Sequence, residues 1–163
     1  MFVVMLAGAF SLLSLQIAAD QRIGNPQVWD RDGCRGMNRS PALRWTNAPA
    51  RARSFALSAY DPDAGSAGWW HWIVYDIPPT QHALPEGLPP TAPPVVQGFN
   101  DFGTIGYGGP CPPAGDAHRY VFTLYALDVP HLSAAAPAHG TEFLQLIRRH
   151  VLATATLTGR YGR

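Results

Sequence analysis

The chain has 163 residues, of which 14% are charged, and a formal net charge of +1. All twelve basic residues are arginines scattered singly or in pairs, which argues against a dedicated nucleic-acid or membrane-surface binder. The length is that of one domain able to bury a core without metals or a disulfide framework. Sixteen prolines and sixteen glycines divide it into many short segments, a pattern typical of an all-β domain.

The amino terminus, residues 1–9, reads "MFVVMLAGA" and resembles the end of the hydrophobic region of a signal peptide, closed by the small residues Ala7 and Ala9. No charge precedes Asp20, so the basic start of such a peptide is missing. Gln16 and two serines interrupt the apolar run, so no transmembrane helix is expected. We expect residues 10–163 to form one domain in the periplasm or outside the cell. The alternative is an ordinary buried first strand in a cytoplasmic protein.

The next elements are short runs rich in β-branched and aromatic residues, bounded by Pro or Gly. They are "FSLLSLQI" (10–17), "ALRWTNA" (42–48), "SFALSAYD" (54–61), "WHWIVYDI" (70–77), "VVQGFND" (95–101), "HRYVFTLYALD" (118–128) and "TATLTGRY" (154–161). One helix is predicted over 140–153, with Thr141 as its N-cap and Phe143, Leu146, Ile147 and Leu152 on one face. The pattern predicts a mainly β fold of two antiparallel sheets packed face to face.

Three predicted strands each carry one ionisable group at the end of an apolar row, because side chains of equal parity share a face. The rows are Phe55, Leu57, Ala59 and Asp61; His71, Ile73, Tyr75 and Ile77; and His118, Tyr120, Phe122, Leu124 and Ala126. If these strands are neighbours, the three groups meet at one rim. A buried charge must be exposed, paired or bound to a ligand, so their convergence predicts a site. Each group alone is more commonly structural.

The loops that connect these strands also contain candidate turn and pocket residues. Pro62 forces Asp61 to be extended, and Asp63 is expected to close the turn through nearby backbone N–H groups. Trp69 is a candidate wall of the same pocket. In the loop "YGGPCPPAGDAHRY", the backbone of Gly108 and Gly109 is a candidate anion-binding concavity.

The two cysteines, Cys34 and Cys111, form no CxxC pair and have no histidine at zinc spacing. Both lie in glycine-rich loops, where a disulfide is sterically easy to form and would require an oxidising compartment. The residues themselves leave open whether the thiols are bridged or free.

Four segments together resemble the phosphatidylethanolamine-binding protein family, also called Raf kinase inhibitor-like proteins, in its bacterial exported form. They are "CRGMNRSPALRW", "DPDAG", "GWWHWIVYDIP" and "GYGGPCPPAGDAHRYVFTLYALD". The resemblance extends from about Phe10 to Tyr161. It implies a β-sandwich with a small anion pocket at one end, which binds phosphate-like groups and phospholipid head groups.

The resemblance also implies particular residues and partners. The implied ligand-binding positions are Asp61, His71, Gly109, Pro112, His118 and Tyr120. Arg119 is implied as a structural ion-pair partner, and Gly65 stands where family members commonly have proline. A Cys34–Cys111 bridge beside the pocket, a homodimer, and inhibition of kinases or proteases fit the same family.

We therefore predict a non-catalytic binder without a cofactor, in which His71 and His118 donate hydrogen bonds to an anionic oxygen. Asp61 would orient a histidine or receive an ammonium group. A hydrolase using Asp61, His71 and His118 as acid and base lacks a credible nucleophile, since there is no GxSxG elbow. The same residue types also allow a metal site built from Asp61, Asp63, His71 and His118. Finally, the protein could be a scaffold or inhibitor whose pocket is vestigial.

Overall fold

The structure is a computed structural model that describes residues 8–133 and 137–163. These residues form short and long strands, a 3-10 turn at Asn25–Gln27 and an α-helix. The elements are β1 (Ser11–Leu13), β2 (Leu43–Thr46), β3 (Ser54–Asp61), β4 (Trp69–Ile77), β5 (Ala83–Leu84), β6 (Val96–Gln97), β7 (His118–Leu127), α1 (Gly140–Ile147) and β8 (Val151–Tyr161).

Two antiparallel sheets pack face to face around the main core. The larger has the strand order β6-β4-β3-β7-β8 and the smaller the order β1-β2-β5. Trp45 of the smaller sheet meets Phe55 of the larger one edge to face, with ring centroids 5.4 Å apart. On the other face of the larger sheet, Phe143 and Ile147 of α1 are buried against Ile73 and Tyr75. The predicted mainly β fold with a short helix near the carboxyl terminus is confirmed.

The three long core strands lie within one residue of their predicted bounds, whereas the helix prediction was too long. Helix α1 ends at Ile147, and Leu152 belongs to β8. The N-cap is His139 rather than Thr141. The reason is pairing: Val151 and Ala153 lie opposite Leu127 and Ala126 of β7, so sheet hydrogen bonding outweighs local helix preference.

Two bulges in β4 make one of the three predicted rows wrong. Tyr60 pairs with Trp70 and Ala59 with Trp72, so His71 is an extra residue on its strand. Ile73 and Tyr75 consequently face α1. A second irregularity, where Phe55 pairs with Ile77 but Leu57 with Val74, turns Ile77 back into the core between the sheets.

The rows that end in Asp61 and begin at His118 are confirmed, since their apolar members all belong to the core between the sheets. The predicted signal-peptide remnant, residues 1–9, lies outside the described residues except for its last two positions. Within the described ranges, no helix has the length and apolar character needed to cross a membrane.

Candidate functional site

A cavity of about 550 Å³ opens where β3 ends, β4 bulges and β7 begins. Its walls come from these three strand ends and from the loops around Phe102 and Pro112. The lining residues are Asp61, Asp63, Ala64, Gly65, Trp69, His71, Phe102, Cys111, Pro112, Pro113, His118 and Tyr120. Most of the site residues predicted from the sequence lie in this lining. The exceptions are Cys34, Gly108, Gly109 and Arg119, which lie outside it.

Asp61 is buried, with 2% of its surface exposed, and both of its carboxylate oxygens are engaged. Oδ2 accepts a hydrogen bond from His118 Nδ1 at 2.7 Å, and Oδ1 accepts one from the backbone N–H of Asp63 at 2.8 Å. Asp61 therefore closes the turn, the role expected for Asp63. It also fixes the ring of His118, so that Nε2 is the nitrogen left for a ligand.

His71 is held by a backbone carbonyl instead of a carboxylate. Its Nδ1 lies 2.6 Å from the oxygen of Gly108, and the ring is 4% exposed. Because a carbonyl only accepts, Nδ1 carries the proton. Burial lowers the pKa of His71 to about 4, against the opposing effect of the Gly108 hydrogen bond. The imidazole is therefore neutral at pH 7 in the free protein, and its single N–H is donated to Gly108.

Tyr120 contributes a phenol to the lining of the cavity. Burial, and next the nearby Asp61 carboxylate, raise the pKa of Tyr120, so the phenol keeps its proton throughout the physiological range. Its ring meets that of His71 nearly edge to face at 5.0 Å between centroids.

Phe102 forms a wall that the sequence did not predict. Its ring stacks on Trp29 at 4.1 Å and meets the rings of Trp69 and His71 edge to face at 5.4 and 5.6 Å. Phe102 lies in a loop, where no alternation of apolar and polar residues marks it. The only sequence signal was its aromatic character in a glycine-rich stretch.

At the rim of the cavity, Arg119 and Asp63 form an ion pair. The guanidinium donates through Nε to Oδ2 at 3.0 Å and through Nη2 to Oδ1 at 2.7 Å, and the Arg119 backbone N–H donates to Oδ2 at 2.8 Å. These hydrogen bonds lower the pKa of Asp63 to about 2. The guanidinium of Arg119 and the carboxylate of Asp63 are thus paired with each other.

The loop at Gly108 and Gly109 does not offer free amides to a ligand. The N–H of Gly108 donates to the carbonyl of His71 at 2.8 Å, and that of Gly109 donates to Asn38 Oδ1 at 2.8 Å. The predicted anion-binding concavity is therefore wrong, because its donors are already used. A side chain on Gly108 would overlap Phe102, and one on Gly109 would overlap the backbone of Gln27, so both glycines allow close packing behind the cavity.

The cysteines are bridged, as expected, with their Cα atoms 6.0 Å apart. The bridge fastens the wall formed by Cys111, Pro112 and Pro113 to the segment that carries Cys34. A second fastening comes from Arg163, whose Nε donates to the carbonyl of Pro112 at 2.8 Å.

The metal-site and hydrolase hypotheses find little support in this geometry. Among residues 8–133 and 137–163, no group of three or more His, Cys, Asp or Glu side chains is arranged to hold a metal ion. Asp61 and Asp63 are instead directed at His118 and Arg119. Cys111, the thiol nearest the cavity, is consumed by the disulfide.

Comparison with known proteins gives consistent matches over nearly the whole chain. A family model described as phosphatidylethanolamine-binding protein matches residues 14–162. A UPF0098 protein of Methanothermobacter thermautotrophicus is 46% identical over 140 residues, covering 84% of this chain and 91% of the relative. The UPF0098 protein YbcL of Escherichia coli is 39% identical over 164 residues, covering 95% of this chain and 88% of YbcL.

Two solved structures share the fold at 36% identity each. The crystal structure of Escherichia coli YbcL, described as a new member of the mammalian PEBP family, superposes with a TM-score of 0.90 and covers 94% of this chain and 98% of that one. A putative phosphatidylethanolamine-binding protein homologue from Chlamydia trachomatis gives a TM-score of 0.82, covering 95% of this chain and 98% of that one.

Proposed function

The chain belongs to the phosphatidylethanolamine-binding protein family, and on this premise we propose that its cavity binds small anions with a phosphate-like group, such as phosphoethanolamine, the free head group of a phospholipid. Family membership supports a ligand-binding, non-catalytic role in general. The observation that carries the proposal is the pair of Asp61 and His118 in the lining of the cavity. It places a protonatable donor beside a buried carboxylate that compensates its charge.

The proposed binding uses two donors from β7. When His118 is protonated, Nδ1 donates to Asp61 and Nε2 donates to an oxygen of the anion. Tyr120 adds a neutral hydroxyl donor. Trp69, Phe102 and the prolines of the wall are apolar, and by excluding water they strengthen the charge-assisted hydrogen bonds.

The affinity for phosphate should fall as pH rises, because the complex holds a proton that the free partners release. Linkage gives at most about a tenfold loss per pH unit for each proton that the complex retains. Calorimetric titration with inorganic phosphate and with phosphoethanolamine between pH 5.5 and 8.5 measures this slope. In His118→Gln, we expect at least about a tenfold loss of affinity, because a charge-assisted hydrogen bond is lost.

His131→Gln is the matched control, since His131 has 78% of its side chain exposed and lies beside Asp76, remote from the cavity. An affinity that does not depend on pH, or full affinity in His118→Gln, would exclude this binding mode.

We also propose that the protein functions in an oxidising compartment, the periplasm or the exterior of the cell. The disulfide supports this, because such bridges are rare in reducing cytosol. Native mass spectrometry of protein from a cell-envelope fraction should show a mass lower by two hydrogens than that of the reduced chain. The same spectra report a retained anion and the proposed homodimer. Fully reduced protein confined to the cytosolic fraction would contradict the proposed location.

A further inference from the structure

The hydrogen-bonding state of His71 restricts which anions fit the cavity. Its Nδ1–H is used by the carbonyl of Gly108 at 2.6 Å. In a neutral imidazole the other nitrogen has a lone pair and no proton, so Nε2 is an acceptor. A bare anion offers only acceptors, and placing two acceptors together is unfavourable.

Nε2 of His71 is open to the cavity. In the part of the chain that the structure describes, two buried polar side-chain atoms lack a partner, and they are the indole nitrogens of Trp45 and Trp69. Nε2 is not among them, it has no hydrogen-bond partner within residues 8–133 and 137–163, and the ring lines the cavity. A bound ligand must therefore satisfy it.

Protonating His71 to make it a donor is costly. Burial opposes the charge, and the charged groups that favour it are Asp61 on β3, itself paired with His118, and Asp101 in the loop after β6. The remaining rings against it, Phe102 and Tyr120, are neutral. With a pKa of about 4, the protonated form at pH 7 is disfavoured by a factor of about 1,000.

Resting on the proposed function, we propose that the cavity selects anions that carry a proton of their own. Inorganic phosphate and phosphate monoesters in the acid form would donate a P–OH to Nε2 of His71 while accepting from His118 and Tyr120. Sulfate and phosphate diesters lack that proton and leave Nε2 unsatisfied. His118 and His71 thus divide the recognition into one donor and one acceptor, the first balanced by a carboxylate and the second fixed by a carbonyl.

The test compares methyl phosphate with dimethyl phosphate at pH 5. Both ligands are then monoanions and differ by one methyl group, which a cavity of about 550 Å³ accommodates. We expect methyl phosphate to bind at least about tenfold more tightly, because a site built to meet a hydroxyl rejects the analogue without it. Inorganic phosphate and sulfate form a second pair, in which we expect phosphate to bind more tightly than sulfate. Comparing the affinity for methyl phosphate with that for inorganic phosphate shows whether the cavity prefers an ester or free phosphate.

His71→Gln supplies the variant, because its side-chain amide both donates and accepts. In His71→Gln we expect the preference for methyl phosphate over dimethyl phosphate to fall below about threefold. The control variant His131→Gln should keep the preference of the wild-type protein. If His71→Gln does not fold, the wild-type protein provides an independent measurement. Its affinity for methyl phosphate relative to dimethyl phosphate should fall as pH rises through the second pKa of the monoester, about 6, because the monoester then loses its P–OH proton. His118 contributes equally to the binding of both ligands, so its effect cancels in this ratio.

Each outcome separates the two proposals. Equal binding of the monoester and the diester overturns the selectivity and leaves anion binding in place. Binding of sulfate more tightly than phosphate, or of the diester more tightly than the monoester, also overturns the selectivity and leaves anion binding in place. Binding of none of the four anions overturns both proposals.

Discussion

At the scale of single residues, the atom that holds Nδ1 determines what each pocket histidine contributes. A carboxylate holds His118 and compensates a positive charge on it, whereas a carbonyl holds His71 and leaves the buried ring neutral. The two side chains are identical in chemistry and lie in one cavity. In the proposed binding mode, these different partners give the two side chains opposite hydrogen-bonding roles toward the ligand.

Several site residues could be predicted from the sequence because they follow strand-end apolar rows or recognisable motifs. Asp61 and His118 needed only alternation along β3 and β7, whereas the family resemblance implied Tyr120. Phe102 and Asn38 could not be predicted in this way, since each depends on a contact between loops distant in sequence. The Gly108–Gly109 amides were misjudged because nothing local reveals that Asn38 and the carbonyl of His71 already accept from them.

At the scale of elements, the bulge in β4 is what turns His71 toward Asp61. In a regular strand His71 would share the face of Ile73 and point toward α1. The extra residue between Trp70 and Trp72 reverses this, and both His71 and Trp72 then lie on the core side. Alternation predicted the long strands because burial imposes it, but a bulge arises from pairing with the partner strand, which the sequence of β4 alone does not contain.

The wall segment 110–117 depends on few attachments besides the disulfide. Its prolines donate no hydrogen bonds, and the segment is also held by hydrogen bonds to Arg163 and to the backbone of Trp29. We expect the double substitution Cys34→Ser and Cys111→Ser to lower the free energy of unfolding by about 2–4 kcal/mol, because the bridge joins residues 77 apart. Phosphate affinity should weaken as well, since Pro112 and Pro113 lose their fixed position.

Denaturant unfolding and calorimetry measure these two effects of removing the bridge. Reduced wild-type protein is the matched control and should behave like the double variant. Reduction that changes neither the unfolding midpoint nor the affinity would show that the hydrogen bonds to Arg163 and Trp29 hold the wall without the bridge.

At the scale of the whole molecule, the buried neutral imidazole of His71 makes global stability depend on pH. Its pKa is about 4 in the fold and 6.5 when unfolded, so between these values the unfolded chain binds the extra proton. Stability contributed by the neutral ring is therefore fully present above pH 6.5 and is lost as pH falls toward 4. Asp63 acts in a separate window, because its lowered pKa of about 2 matters only below its ordinary value of 3.8.

We expect the free energy of unfolding attributable to His71 to increase by up to about 3 kcal/mol from pH 4 to pH 6.5. Urea unfolding at intervals of half a pH unit measures it as the difference in slope between wild type and His71→Gln, whose side chain does not titrate. His131→Gln, altered at an exposed histidine, should retain most of the wild-type slope. If His71→Gln shows the same slope as wild type, the ring is not neutral in the folded protein, and the selection of proton-bearing anions loses its physical basis.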